Sequence, residues 1–247
     1  MDCIIVDIGN TRSKIATSRA GRLETGVAAC EHAETLERIE SACKTSRVDR
    51  CLIASVAATG CDLLEPLRAK GIHATLLSHE FRYPFKIGYT TPSTLGVDRL
   101  AAVAGVVGLE GLCDAIVIDA GTAITYDYLT RDGEYLGGAI SPGVGMRFRA
   151  LHDYTARLPL CGAEDLKDIR IGTDTRGALA AGVVGGVQAE VKAIIAEWRE
   201  RRPGMRAYVT GGDYKYFEMR TEISIFAVPN LVLDGLAYIA ESNQDKF

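Results

Sequence analysis

The sequence contains seven cysteines and four histidines in 247 residues, yet no Cys-x-x-Cys, His-x-His or His-x-x-x-His pair. An odd number of thiols without paired spacing argues for reduced, mostly buried cysteines and against a disulfide framework. A structural zinc site likewise has no ligand pattern to rest on. Long hydrophobic runs are missing as well. The longest weakly polar stretches, 100–109 and 177–187, fall short of the ~20 residues that span a bilayer. The start has no basic segment and reaches Asp7 soon after Asp2, so a secretory leader is not expected. Positive charge is not in excess, with 28 Lys and Arg against 32 Asp and Glu and a net charge of −4. General attraction to nucleic acid or to an anionic membrane is therefore not expected. Neither a Gly-x-x-x-x-Gly-Lys-Ser/Thr run nor a dinucleotide-binding glycine fingerprint is present. The expectation is a cytoplasmic protein that holds any anion by local geometry.

Hydrophobic residues make up 47% and charged residues 24%, the balance of a folded globular chain. A length of 247 residues suggests one or two domains. The opening reads as a strand at 3–7, a Gly9-Asn10 turn and a strand at 12–17, because both turn residues tolerate positive φ. A turn at Ala20-Gly21 leads to a short strand at 25–29. Leu36, Ile39 and Ala42 with Cys43 recur at helical spacing within 31–44. A strand (51–56), a helix (62–70) and a strand (74–77) follow, and the proline-bearing stretch 81–95 reads as a loop. A helix is expected at 98–107.

Then the opening pattern returns. A strand at 115–119 ends in aspartate, passes Gly121-Thr122, and continues as strands at 124–128 and 135–140 around an Arg131-Asp132-Gly133 turn. The two strand-ending aspartates lie 119 − 7 = 112 residues apart, and such internal repetition is a fold signal. Helices to residue 151 and over 175–201, strands at 207–210 and 223–228, and a helix from Leu231 complete the reading. Alternating strands and helices argue for layered α/β architecture. The expected halves are 1–112 and 113–247, packed with a cleft between them.

The paired turns carry the strongest chemical signal. An aspartate at a strand end can hold a hydrated Mg²⁺. The following glycine lets backbone N–H groups approach a phosphate, and the threonine hydroxyl adds a donor. A single copy would read as an ordinary hairpin turn, where these residue types are common. Two copies after similar apolar strands favour a pair of phosphate turns clamping a nucleotide. Lys14, just beyond the first turn, is placed to reach a phosphate, although a lysine in such a strand is more often simply solvated. Thr210-Gly211-Gly212-Asp213 either admits a flat group such as adenine or is an ordinary glycine-rich connection. In Gly96-Val97-Asp98-Arg99, Asp98 sits where a helix begins, and an acid there is stabilising in its own right. The functional alternative is a carboxylate base that accepts a proton from a hydroxyl attacking a γ-phosphate.

These residues together resemble the type III pantothenate kinases of the acetate kinase/sugar kinase/Hsp70/actin superfamily, over nearly the whole chain. Asp7-Ile8-Gly9-Asn10-Thr11-Arg12-Ser13-Lys14 is similar to the family's first phosphate motif, and the segment from Asp119 through Thr122 to Thr125 to its second. Gly96 to Arg99 matches its GxDR motif, and Gly137-Gly138-Ala139-Ile140-Ser141-Pro142-Gly143 its GGxIxPG segment. The resemblance implies two actin-like (ribonuclease H-like) α/β domains and ATP-dependent phosphorylation of pantothenate, the first step of coenzyme A synthesis. It implies Asp98 as proton acceptor, and Tyr89, Gly96, Val97, Asp98 and Arg99 as pantothenate contacts. It assigns Asp7, Ile8, Gly9, Asn10, Thr11, Arg12, Ser13, Lys14 and Thr122 to ATP. Asp119 matches the position of a monovalent-cation ligand, for potassium or ammonium, and Mg²⁺ accompanies ATP. A homodimer is implied, with Thr173 contacting substrate across its interface.

One departure is visible: Thr91-Pro92 stands where the family commonly has Asn-Pro. Two rival readings stay open at this point, a kinase for another small hydroxyl compound and a non-catalytic regulator on the same scaffold. Retention of Asp7, Asp98 and Asp119 favours the enzyme.

Overall fold

The computed structural model describes all residues except 25, 56–58, 169 and 218–223. Its chain divides into two compact units: Met1–Cys113 with Leu129–Gly137 and Asn230–Phe247, and Asp114–Tyr128 with Gly138–Pro229. The units are thus not contiguous halves. The last helix folds with the N-terminal residues because its apolar stripe is buried there, a long-range pairing that sequence periodicity cannot register.

The first unit opens with strands β1 (Cys3–Ile8) and β2 (Ser13–Arg19), paired antiparallel with Asp7 opposite Lys14. Ala20 and Gly21 both take positive φ, 47° and 74°, as the tight turn requires. Of the strand expected at 25–29 only the end forms, as β4 (Ala28–Cys30), after a two-residue strand β3 (Arg22–Leu23); its first residue lies outside the described residues. A 3₁₀ turn leads into helix α1 (Thr35–Ser46), which buries Ile39 and Cys43. After it come β5 (Arg50–Ser55), the short helices α2 (Thr59–Asp62) and α3 (Leu64–Ala69), and β6 (His73–Leu76). The last residue of the strand expected at 51–56 is outside the described residues. The sheet order is β3-β2-β1-β5-β6, with β1, β5 and β6 parallel.

The stretch expected as a plain loop holds a two-residue strand, β7 (Lys86–Ile87), and a 3₁₀ turn, Pro92–Thr94. Two residues are too few to show a period. The strand forms because the N–H groups of Lys86 and Gly88 find carbonyls on Gly133 and Tyr135, at 2.8 and 2.9 Å. Helix α4 (Val97–Glu110) follows.

The second sheet repeats the plan. Strand β8 (Ala115–Ala120), strand β9 (Ala123–Leu129), strand β10 (Glu134–Pro142) and helix α5 (Val144–Asp153) precede the long helix α6 (Thr175–Arg201). Strands β11 (Arg206–Thr210) and β12 (Ile225–Ala227) complete its sheet, and the first residue of the strand expected at 223–228 lies outside the described residues. Helix α7 (Leu231–Ser242) then returns to the first unit and packs against α4. Apart from β7 beyond β10 and β4 beside β2, the order β10-β9-β8-β11-β12 reproduces β3-β2-β1-β5-β6. The 112-residue spacing of the two aspartates therefore reflects a repeated topology.

Alternation along the central strands decides what each aspartate faces. In β1, Ile4, Val6 and Ile8 pack with Ile39, Cys43 and Leu67 in one core. Cys3, Ile5 and Asp7 point to the other face, on which α4 and α7 lie. In β8, Ile116, Ile118 and Ala120 join residues of α5 and α6 in the second core, leaving Val117 and Asp119 on the opposite face. Helix α6 is long and apolar enough by length and composition to cross a membrane. Its buried residues, among them Ala180, Val184, Val187, Val191 and Ile195, share one stripe in that second core, which accounts for the apolarity.

Candidate functional site

In the first unit the sequence places Asp7 at the end of a parallel strand and opposite Lys14 across a hairpin. Helix α4 begins over the same face, and Asp98 lies in its first turn. These three side chains form one electrostatic cluster. Burial, then the neighbouring Asp98 carboxylate, pushes the Asp7 carboxyl up to about 6, and Lys14 partly offsets this. Asp98 Oδ1 accepts the N–H of Arg99 at 2.9 Å, so the carboxylate is held over the start of the helix. Gly96 leaves it room, since a Cβ there would collide with Asp98 Oδ1. Val97 and Arg99 are buried at the same helix start.

The turn between β1 and β2 is closed by Gly9 N–H donating to the Arg12 carbonyl at 3.2 Å. Asn10 and Thr11 at its tip are exposed, while Ile8 is core. Arg12 pairs with Glu31 at 3.3 Å on the surface. The Ser13 side chain turns inward, where its hydroxyl shares a 2.8 Å hydrogen bond with that of Thr35. Tyr89 lies against Gly137 and forms, with Tyr135, Phe85 and Tyr83, a chain of rings 5.9 to 6.4 Å apart. Thr91 fits its loop locally: its hydroxyl meets that of Thr94 at 2.9 Å, and its carbonyl accepts the Thr94 N–H at 3.0 Å.

The second unit places Asp119 at the equivalent strand end, opposite Thr210 on the parallel strand β11. Gly211 follows with φ of 91°. A Cβ there would strike Asp119 Oδ1 and the Ala120 carbonyl, so glycine is required for the approach. The turn is closed by Gly121 N–H donating to the Ala123 carbonyl at 3.0 Å. The Thr122 carbonyl in turn accepts the N–H of Gly143 at 3.0 Å. Asp213, whose N–H reaches the Ala120 carbonyl at 2.9 Å, is raised by burial, with Lys215 opposing. Thr173 is exposed just ahead of α6, where Asp174 caps the helix through the Gly177 N–H at 2.8 Å.

The structure thus brings Asp7, Lys14 and Asp98 together in one unit, and Asp119, Thr122 and Gly211 in the other. A further set in the second unit escaped the sequence reading: Tyr126, Ser141, Arg147 and Glu190 share hydrogen bonds. Only the Ser141-Pro142-Gly143 punctuation hinted at it, because Glu190 sits unmarked within a long helix. Among the described residues no group of three or more His, Cys, Asp or Glu side chains is arranged to hold a metal ion.

Comparisons with known proteins bear on the family and the fold. A family model described as type III pantothenate kinase matches residues 3–197. A type III pantothenate kinase from Phocaeicola vulgatus is 37% identical over 240 residues, covering 97% of this chain and 98% of that protein. Among solved structures, a Baf family transcriptional activator from Campylobacter jejuni superposes with a TM-score of 0.65 at 21% identity, over 98% of this chain and 99% of that one. A ROK family glucokinase from Streptomyces griseus in complex with glucose and AMPPNP gives 0.54 at 12% identity, over 96% and 98%. At such identities these two inform the fold alone, and the fold is the actin-like, ribonuclease H-like α/β class.

Proposed function

The chain belongs to the type III pantothenate kinase family and phosphorylates pantothenate with ATP in coenzyme A biosynthesis; we propose that Asp98 is the carboxylate that starts the transfer. The observation that carries this assignment is the electrostatic contact between Asp98 and Asp7 at the end of β1. In this reading Asp98 accepts the proton of pantothenate's primary hydroxyl as that oxygen attacks the γ-phosphorus. The bond from γ-phosphorus to the β–γ bridging oxygen breaks, and ADP leaves. A hydroxyl gains little from a weak base in the ground state, so positioning and charge stabilisation supply most of the rate.

Residues 7–14 and Thr122 would handle the phosphates of ATP, the buried Ile8 and Ser13 by backbone alone and Lys14 by its positive charge. Tyr89 and residues 96–99 would contact pantothenate, the buried Arg99 offsetting negative charge near Asp98. Mg²⁺ accompanies ATP in kinases of this kind and neutralises charge on the phosphate oxygens. We assign Asp119 to a monovalent cation, potassium or ammonium. The donor set suits a hard cation, with a carboxylate near the Ala120 carbonyl and a glycine at 211 that adds no side chain beside them. The reading also carries a homodimer and a cytoplasmic location, where ATP is available. Exposed apolar side chains near Thr173 support the dimer: Leu160 is 52% and Ile171 66% exposed. Ile171→Asp is expected to halve the mass seen by sedimentation, and an unchanged mass would place the interface elsewhere.

The deciding measurement is ADP release with ATP, Mg²⁺ and pantothenate, in potassium against sodium buffer. Pantothenate-dependent turnover stimulated by potassium is the expected result. Silence in both buffers with ATP still bound would point to another acceptor or to a regulator. In the same assay Asp119→Ala should lose the potassium response, and an unchanged salt response would sink the cation assignment.

A further inference from the structure

We infer that Arg147 and Glu190 are positioning residues that hold the second phosphate turn in place. The inference rests on the reading of Gly121-Thr122 as a turn that receives ATP. That turn leans on the end of β10. Gly143 N–H donates to the Thr122 carbonyl at 3.0 Å, and a Cβ on Gly143 would collide with the carbonyls of Gly121 and Thr122. The backbone of Pro142 and Gly143 is therefore the wall behind the turn, and its placement fixes where the turn can sit.

Arg147 fixes the wall. One turn into α5, its Nε donates to the Pro142 carbonyl at 2.8 Å. Its Nη2 donates to Ser141 Oγ at 2.8 Å and to Glu190 Oε2 at 2.6 Å. Glu190 projects from α6, and its Oε1 accepts the hydroxyl of Tyr126 at 2.8 Å. Tyr126 stands on β9, the strand that leaves the turn. The connections close a ring: turn, Tyr126, Glu190, Arg147, Pro142 and Gly143, and back to the carbonyl of Thr122. Burial alone would raise the Glu190 carboxyl, but hydrogen bonds from Arg147, Tyr126 and Ser141 bring it below the ordinary range. The carboxylate is thus charged and fully engaged at neutral pH.

The choice of arginine follows from the geometry. Its planar fork directs several donors at once, so one side chain can bridge a carbonyl, a hydroxyl and a carboxylate. Lysine keeps the charge and loses the fork. An ion pair that served only to stabilise the unit would tolerate that exchange and would be indifferent to which substrate is varied.

The test is steady-state kinetics on Arg147→Lys, Arg147→Ala, Glu190→Ala and Glu190→Gln, with each substrate varied in turn. The KM for ATP should rise about tenfold in Arg147→Lys, as small misplacements at a reacting centre do, while the KM for pantothenate stays within about twofold. The double variant Arg147→Ala/Glu190→Ala should be no worse than either single alanine variant, because both act through one chain of contacts. A folded Arg147→Lys enzyme with the wild-type KM for ATP would overturn the inference, as would equal rises in both KM values. ATP titration by calorimetry keeps this separate from the reading beneath it. If the wild type binds ATP but ignores pantothenate, the acceptor is wrong, and tenfold weaker ATP binding by Arg147→Lys still decides the positioning role.

Discussion

Asp98→Asn should lower kcat by about a hundredfold or more, the usual contribution of a positioned general base, while ATP affinity stays within a few-fold. Asparagine is nearly isosteric and keeps an oxygen to accept the 2.9 Å hydrogen bond from Arg99 N–H, so the helix start is preserved. What disappears is the negative charge and the capacity to take a proton. A second readout is independent of turnover. Asp98 is one of the causes that hold the Asp7 carboxyl near 6, so its replacement should move the Asp7 titration to lower pH. Carboxyl carbon NMR on wild type and variant would show this. Near-normal kcat in Asp98→Asn would remove Asp98 from the base role, and an unmoved Asp7 midpoint would contradict the cluster itself.

Local sequence revealed a good deal of this arrangement because its units are local. Strand alternation, the Ala20-Gly21 turn and the boundaries of α6 follow from residue type over short windows. The repeat of strand, aspartate, glycine and threonine was legible for the same reason, and it led to both turns proposed to hold phosphate. Contacts between distant segments were not legible. Strand β7 is set by two backbone donors meeting the edge of β10. The return of α7 to the first unit depends on matching its face to α4. Ser13 lies within the first phosphate motif, yet its hydroxyl belongs to the core beside Thr35, a partner 22 residues away. The Tyr126-Glu190-Arg147 ring joins a strand and two helices at separations of 64 and 43 residues, and no motif spans such distances.

Asp7→Asn should make the protein more stable at pH 8 while removing most of its activity. The Asp7 carboxyl titrates near 6 in the folded protein, against 3.8 for an ordinary aspartate, first because of burial and then because of Asp98. Its pKa is raised on folding, so between about pH 4 and pH 6 the native state holds the proton that the unfolded chain has released. Stability contributed by this group therefore falls as pH rises through that window and stays low above it. At roughly 1.4 kcal/mol per pH unit the charged group costs on the order of 2–3 kcal/mol at pH 8. Asparagine carries no charge to desolvate or to repel Asp98, although it gives up the attraction to Lys14. The variant should melt several degrees higher than wild type at pH 8, and the gap should close towards pH 4. On the proposal that Asp7 holds the hydrated Mg²⁺ accompanying ATP, the same substitution removes that carboxylate, so turnover should fall sharply. Wild-type activity should fade below about pH 6 as Asp7 takes up its proton. A variant less stable than wild type at pH 8 would mean that the Lys14 attraction outweighs burial and repulsion. The opposite result would identify the first phosphate turn as a place where charge needed for catalysis is kept at the expense of the fold.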